Sequence, residues 1–472
     1  MSGPRFRSPG GVLLSIGCAA VIGATSMLTA GFVFGGKRLI ADVALLAGEG
    51  WIMGGTTEPD PTQAYISEVE QLYLNSQVPG VSFTGLNTPE EACPVICFPA
   101  PADDPSSWST MNLGQSINTG VGILDQQIQQ ALAANPSADL GVLGYSQSAD
   151  IATQEMTNLI ASGQTDPNLH VVLLGDPNSP IGGILDRFQF PDGVQAFSLQ
   201  PAPQHLPFLD VSLSMAPTPT TPFPTDIYTG EYDGYANWPE DPTNILADIN
   251  AGIGIDTVHP YYPDPTPGVN LDTNNIIDLG TIGNTNFYDI PAPLPMLAFM
   301  YDGGPAGRFF YDFFNPFLSL INNWGYGNPG DPGAGIPVNG IDPIGAAGPW
   351  QVDATGQLVP SGVAGLLPQM DPLQVLAGEE YAAVQTIVGP INALLQDAGQ
   401  SPLPQSFVDS LLSGYDATNQ LDASLLTDWS ALTASIPSLG PDAIFSGAPL
   451  ISGQPLVDLA GFGFDIFNFF GA

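Results

Sequence analysis

The sequence predicts an α/β fold built on a central parallel sheet flanked by helices. Two apolar runs of strand length, Leu140 to Gly144 and His170 to Leu174, bracket a segment from Ser148 to Ser162. In that segment Ile151, Met156, Leu159 and Ile160 follow a helical repeat. Strand, helix, strand makes a βαβ unit, and two strands joined that way pair in parallel. Of the 472 residues 44% are hydrophobic, enough for a sizeable core.

The elements follow in chain order. Glu49 to Gly55 reads as a strand running into a Gly turn, and Pro59 to Leu74 as a helix with Pro and Thr start signals and Ala64, Val69 and Leu72 near helical spacing. From Gln115 to Ala134, Ile117, Val121, Leu124, Ile128 and Leu132 share one face, and Asn135-Pro136 ends the helix. After the βαβ unit, Asp226 to Gly230 is a further strand and Thr243 to Ile253 a helix that starts just after Pro242. Residues 331–368 are rich in Gly and Pro and read as a linker. Leu373 to Leu395, Ser406 to Leu412 and Leu421 to Leu432 are helical by spacing.

Charge limits the partners. The chain has 46 acidic residues against 6 Lys and Arg, a net charge of −40, and only Arg187 and Arg308 lie beyond residue 38. Phosphate binding takes clustered Lys and Arg, so neither nucleic acid nor anionic head groups are expected partners. Residues 11–36 carry no charge, and Arg5, Arg7, Lys37 and Arg38 flank them. The run is longer than the apolar part of a secretory signal and lacks a convincing cleavage site, so an uncleaved membrane anchor is expected, with a cleaved signal as the alternative. An acidic, Lys-poor body on the outer side of the membrane follows from either. Cys93 and Cys97 can close a small loop in an oxidising compartment; no metal or other cofactor is expected, since two thiols and three His residues fall short of a zinc site.

The chemistry lies where a strand meets a helix. Gly144-Tyr145-Ser146-Gln147-Ser148 has the G-x-S-x pattern of a nucleophile elbow, which lifts a serine hydroxyl onto a helix N-terminus. The backbone N–H of Gln147 then faces a developing oxyanion, and the loop Gly54-Gly55-Thr56-Thr57 supplies a second donor. Serine needs a base, and the chain offers three His residues. His170 opens a buried strand, and His205 precedes the acid-bearing strand, out of the order serine, acid, histidine; His259 comes last and is the candidate base. The acid is Asp233 or Asp176, with Glu231 as a third option.

Several segments in the same order resemble the PE-PPE domain of mycobacteria and related actinobacteria. They are Gly144 to Ser148, Leu173 to Asn178, Tyr232-Asp233-Gly234-Tyr235 followed by Pro239, Asn244 to Asn250, His259, and Trp324 to Gly330. The resemblance covers roughly Glu49 to Gly335. It implies a cutinase-like serine α/β-hydrolase with esterase or lipase activity on acyl esters, and the triad Ser146, Asp233, His259. Thr56 stands where that family has an oxyanion-loop serine, and Ser148 where general lipases have glycine. The chain thus reads as a membrane segment (1–48), a hydrolase domain (49–335), a linker (336–370) and a helical extension (371–472). The extension is an appendage or, with Phe309 to Trp324, an acyl-chain groove or lid. An acyl ester or glycolipid is the expected substrate. Membrane-anchored members of this kind are associated with acyl transfer between trehalose glycolipids, which is the first alternative; a non-catalytic envelope protein is the second.

Overall fold

The computed structural model describes residues 48–93, 110–165, 168–187, 205–206, 211–212, 217–239, 244–301, 304–326, 350–352, 358–360 and 372–412. The expected membrane segment, Cys97, the helix expected over Leu421 to Leu432 and the Phe-rich C-terminal end lie outside these residues. Among the described residues no helix is long and apolar enough to cross a membrane.

Seven strands form the main sheet: β1 (Gly48–Ile52), β2 (Val81–Gly85), β3 (Leu140–Tyr145), β4 (Leu169–Leu174), β7 (Thr225–Gly230), β8 (Ile277–Ile282) and β9 (Thr285–Ile290), in the order β2-β1-β3-β4-β7-β9-β8. Every neighbouring pair is parallel except the terminal β8–β9 hairpin. Two short antiparallel pairs stand apart: β5 (His205–Leu206) with β6 (Val211–Ser212), and β10 (Trp350–Val352) with β11 (Leu358–Pro360). The second pair lies within the segment read as a linker.

Alternation along the central strands explains why they are apolar throughout. Val142, Val171, Leu173 and Ile227 face one side with Ile117, Leu124, Ile151 and Met156; Leu143, Val172, Leu174 and Tyr228 face the other with Ile66, Val69, Tyr73 and Tyr262. Both faces are covered, as a parallel sheet requires. Helix α1 (Gln63–Val69), which widens into a π-helical turn over Glu70–Leu74, lies on the second side. Helices α2 (Leu113–Ala134) and α3 (Gln147–Ala161) lie on the first. Helix α2 starts two residues earlier than its apolar pattern suggests, because Asn112 and Gln115 form a reciprocal capping box.

Chain order decides where a site can form. The chain passes from β1 outward to β2 and then back across β1 to β3. The loops leaving β1 and β3 therefore diverge at the carboxyl edge, where open α/β sheets hold their ligands. Each strand end there is pinned to its neighbour: Met53 N–H to Leu143 O, Ser146 N–H to Leu174 O, Gly175 N–H to Tyr228 O and Glu231 N–H to Ile290 O, all 2.9–3.0 Å.

Beyond the sheet, α4 (Ile245–Thr257) leads to His259, and α5 (Gly304–Gly325) runs beside α4, with Asn244 Nδ2 donating to Ile321 O at 2.7 Å. Helix α6 (Pro372–Asp397) packs along α5 with Gly389 against Asp312, and α7 (Gln405–Leu412) packs on α6 through Val384, Val388 and Val408. These C-terminal helices belong to the same compact unit as the sheet. Cys93 is disulfide-bonded, its partner lying outside the described residues.

Candidate active site

Four strand ends and one turn after α4 converge at the carboxyl edge. Ser146 sits between β3 and α3 at φ 56°, ψ −119°, a left-handed conformation costly for a residue with a Cβ. The elbow holds it there. A Cβ on Gly144 would come within 2.4 Å of Ser148 O, so only glycine lets the strand meet the helix so closely. Ser148 closes the turn from its other side, its Oγ accepting Tyr145 N–H at 2.8 Å and donating to Tyr145 O at 3.1 Å. In the run from Leu140 to Thr153, Ser146 is the one residue that is not buried.

The Ser146 hydroxyl does not cap its own helix, and Gln147 N–H, at the first position of α3, is one of the N–H groups that have no acceptor within the helix. Its Oγ stands 2.7 Å from His259 Nε2, and His259 Nδ1 stands 2.8 Å from Asp233 Oδ2. His259 is 6% exposed and Asp233 wholly buried. With its proton on Nδ1 facing the carboxylate, the imidazole presents a bare Nε2 to the serine. The carboxylate is itself fixed: Oδ1 accepts the N–H groups of Tyr235 at 2.9 Å and Ala236 at 3.4 Å, and Oδ2 accepts the Tyr262 hydroxyl at 2.7 Å. Tyr262 Oη also accepts Gly230 N–H at 2.6 Å. Complete burial, with Asp233 beside it, pushes the Tyr262 phenol well up, so it stays a donor. Tyr145 donates to His259 O at 2.7 Å, and the Tyr235 ring meets the imidazole edge-on at 4.7 Å. Gly175, at φ 56°, makes room: a Cβ there would lie 3.0 Å from His259 Cε1.

The other candidates lie elsewhere. Asp176 turns its carboxylate to Thr218 Oγ1 at 2.6 Å and Asn178 N–H at 2.9 Å, and burial raises its pKa to about 6 against those two donors. Glu231 accepts Ala292 N–H at 3.2 Å. His170 pairs with Asp226 at 2.6 Å near the amino ends of the strands. His205 lies in the separate β5–β6 pair. The β1 loop reaches the site as expected: a Cβ on Gly55 would approach Ser146 Cβ to 3.3 Å, and Thr56 Oγ1 lies 3.3 Å from Gln147 Oε1. Sequence reasoning missed Tyr262 and Ser116, the latter bonded to the Gln147 side chain at 2.8 Å. Tyr262 lies three residues past the candidate base, but nothing local says which way its phenol turns.

The sequence profile of the PE-PPE domain matches residues 79–327. Three proteins of Mycobacterium tuberculosis (strain ATCC 25618 / H37Rv) are similar. PE family protein PE3 is 33% identical over 67% of this chain and 64% of its own length. Esterase PE16 is 34% identical over 64% and 53%. Diacyltrehalose acyltransferase Chp2 is 27% identical over 34% and 42%. The chain thus spans less than two thirds of the length of these relatives. With the profile covering more than half of the chain and PE3 aligned over two thirds of it, this protein belongs to the PE-PPE domain family.

Proposed function

We propose that this chain is a serine carboxylic-ester hydrolase of cutinase-like α/β-hydrolase type, acting on acyl esters of lipids or glycolipids. The observation that carries the reading is the unbroken series Ser146 Oγ, His259, Asp233, with contacts of 2.7 and 2.8 Å, at the open N-terminus of α3. Similarity to Esterase PE16 supports it.

Ser146 Oγ attacks the ester carbonyl as His259 Nε2 takes its proton, and Asp233 stabilises the imidazolium. The carbonyl oxygen, now negative, accepts from Gln147 N–H and Thr56. Collapse expels the alcohol, which takes the proton from His259, and leaves an acyl group on Ser146. A second alcohol or water, deprotonated by the same nitrogen, then releases that group. Ser146→Ala should abolish hydrolysis of p-nitrophenyl butyrate and labelling by a fluorophosphonate. Activity retained in that variant overturns the proposal in favour of a different centre, and an unaltered chain that neither hydrolyses the ester nor takes up the label overturns it in favour of a non-catalytic envelope protein.

The similarity to Diacyltrehalose acyltransferase Chp2 favours a second reading, in which a sugar hydroxyl replaces water as acceptor. Product analysis with a labelled acyl donor, with and without trehalose or a trehalose ester, separates the two. Attachment to a membrane through residues 11–36, with the catalytic domain outside, belongs to the same proposal. Fractionation of cells expressing the chain with and without those residues tests it.

A further inference from the structure

The Gln147 side chain is 3% exposed and spans from the β1 loop to α2. Thr56 Oγ1 stands 3.3 Å from its Oε1, and Ser116 Oγ 2.8 Å from its Nε2. Ser116 is wholly buried and also accepts Glu91 N–H at 2.9 Å. Glu91 is held in turn, its Oε2 accepting the N–H groups of Thr110 at 2.8 Å and Met111 at 2.6 Å.

The direction of the protons along these contacts has a consequence. With the amide nitrogen toward Ser116, that hydroxyl receives two N–H donors and its own proton meets no acceptor among the described residues, while Thr56 uses its single proton on Gln147. A buried donor left without an acceptor is unfavourable. Half a turn about the terminal bond of the amide exchanges its oxygen and nitrogen and keeps both contacts. Each proton then has an acceptor: Glu91 N–H on Ser116 Oγ, Ser116 O–H on Gln147 Oε1, and Gln147 Nε2–H on Thr56 Oγ1. The Thr56 proton is then free for another acceptor, on a loop that Gly55 brings against Ser146.

We propose that Gln147 is a positioning residue whose amide, in that turned-over orientation, holds Thr56 by its oxygen and aims the Thr56 O–H at the oxyanion. Ser116 is the buried anchor that decides which way the amide faces. The inference rests on the serine mechanism proposed above and extends it: the Gln147 backbone donates to the oxyanion, and its side chain directs the second donor.

A double-mutant cycle tests it. Gln147→Glu offers only acceptors when ionised and so captures the Thr56 proton; Thr56→Val removes it. On p-nitrophenyl butyrate each is expected to lower kcat by roughly 100- to 1,000-fold with KM within about twofold, the size of one lost oxyanion donor. In the double variant kcat should stay within about twofold of Thr56→Val alone, since there is no longer a hydroxyl to misdirect. Gln147→Met, which neither holds nor captures the hydroxyl, should lose less than Gln147→Glu, and it completes the cycle if the Glu variant does not fold by circular dichroism. A parental kcat in Gln147→Glu, or a combined loss nearer the product of the single losses than the Thr56→Val value, overturns the inference. If instead Ser146→Ala retains activity, the mechanism itself is wrong, and the two failures are thereby told apart.

Discussion

At the residue scale the candidate site depends on side chains buried behind it, Tyr262 and Ser116 among them. Tyr262 binds Asp233 Oδ2 with its proton and Gly230 N–H with its oxygen, tying the acid to the end of β7. Tyr262→Phe removes both bonds and leaves a buried N–H without a partner, so a loss of about 1–3 kcal/mol in urea unfolding is expected. A fall in kcat of roughly tenfold should accompany it, because the carboxylate loses a fixed donor. Asp233→Asn should lower kcat by about 10⁴-fold with little change in KM, through the wrong imidazole tautomer. Asp176→Asn should leave kcat of the folded protein within about threefold, since its carboxylate faces Thr218 and not His259. Steady-state kinetics on one short ester decides all three. Ser146 and His259 were legible in the sequence because the elbow is a local pattern and histidines are scarce. Residues alone favoured Asp233 while leaving Asp176 and Glu231 open, and the resemblance pointed to the same acid. Tyr262 and Ser116 act through partners distant in sequence, and no local pattern marks such pairs.

At the element scale the central strands, α2 and α3 were readable, since burial on both faces gives strands that are apolar throughout and helices one regular stripe. The β8–β9 hairpin was missed although Gly283-Asn284 stands between alternating residues, the usual mark of a two-residue turn. Gly283 takes φ 59°, and a Cβ there would strike Thr220 O at 2.5 Å. The extent of α5 was missed as well, because Pro316 stands inside it. On that helix Phe310, Phe313, Phe314, Phe317 and Ile321 are exposed, and Ile245 and Ile249 are exposed on the adjoining α4. Apolar surface of this kind on the helix pair that leads to His259 suits a substrate in an aggregate. Replacing Phe314 and Phe317 together by Asp should lower turnover of an emulsified long-chain ester about tenfold and spare a dissolved butyrate ester. Equal losses on both would assign the stripe to folding alone.

At the scale of the whole molecule, charge opposes stability as pH rises. Burial pushes the carboxyl groups of Glu90 and Glu155 up to about 8, and those of Asp150 and Asp289 well up too. A carboxyl group whose folded pKa is raised contributes its stability in full below the unfolded value, near 4.5 for Glu, and loses it as pH climbs to the folded value. Melting temperature should therefore fall between pH 5 and pH 8, by an amount on the order of 5 °C or more. Glu90→Gln should flatten that slope, and a melting temperature that rises over the same interval would contradict the assignment. The net charge of −40 acts in the same direction, so added salt should recover part of the loss. Composition announced the charge, but which acids are buried follows only from packing.

The pinned strand ends carry a consequence for how activity is acquired. Because Ser146, the Gly175 turn beside His259, the turn that carries Asp233 and the β1 loop are each referenced to a different strand by a neighbour's carbonyl, a slip of one residue along any ladder displaces its passenger by about 3.3 Å. A partly assembled sheet should accordingly turn over no ester at all, and catalysis during refolding should appear only with the last alignment, making enzymatic rate a clock for the final step of assembly.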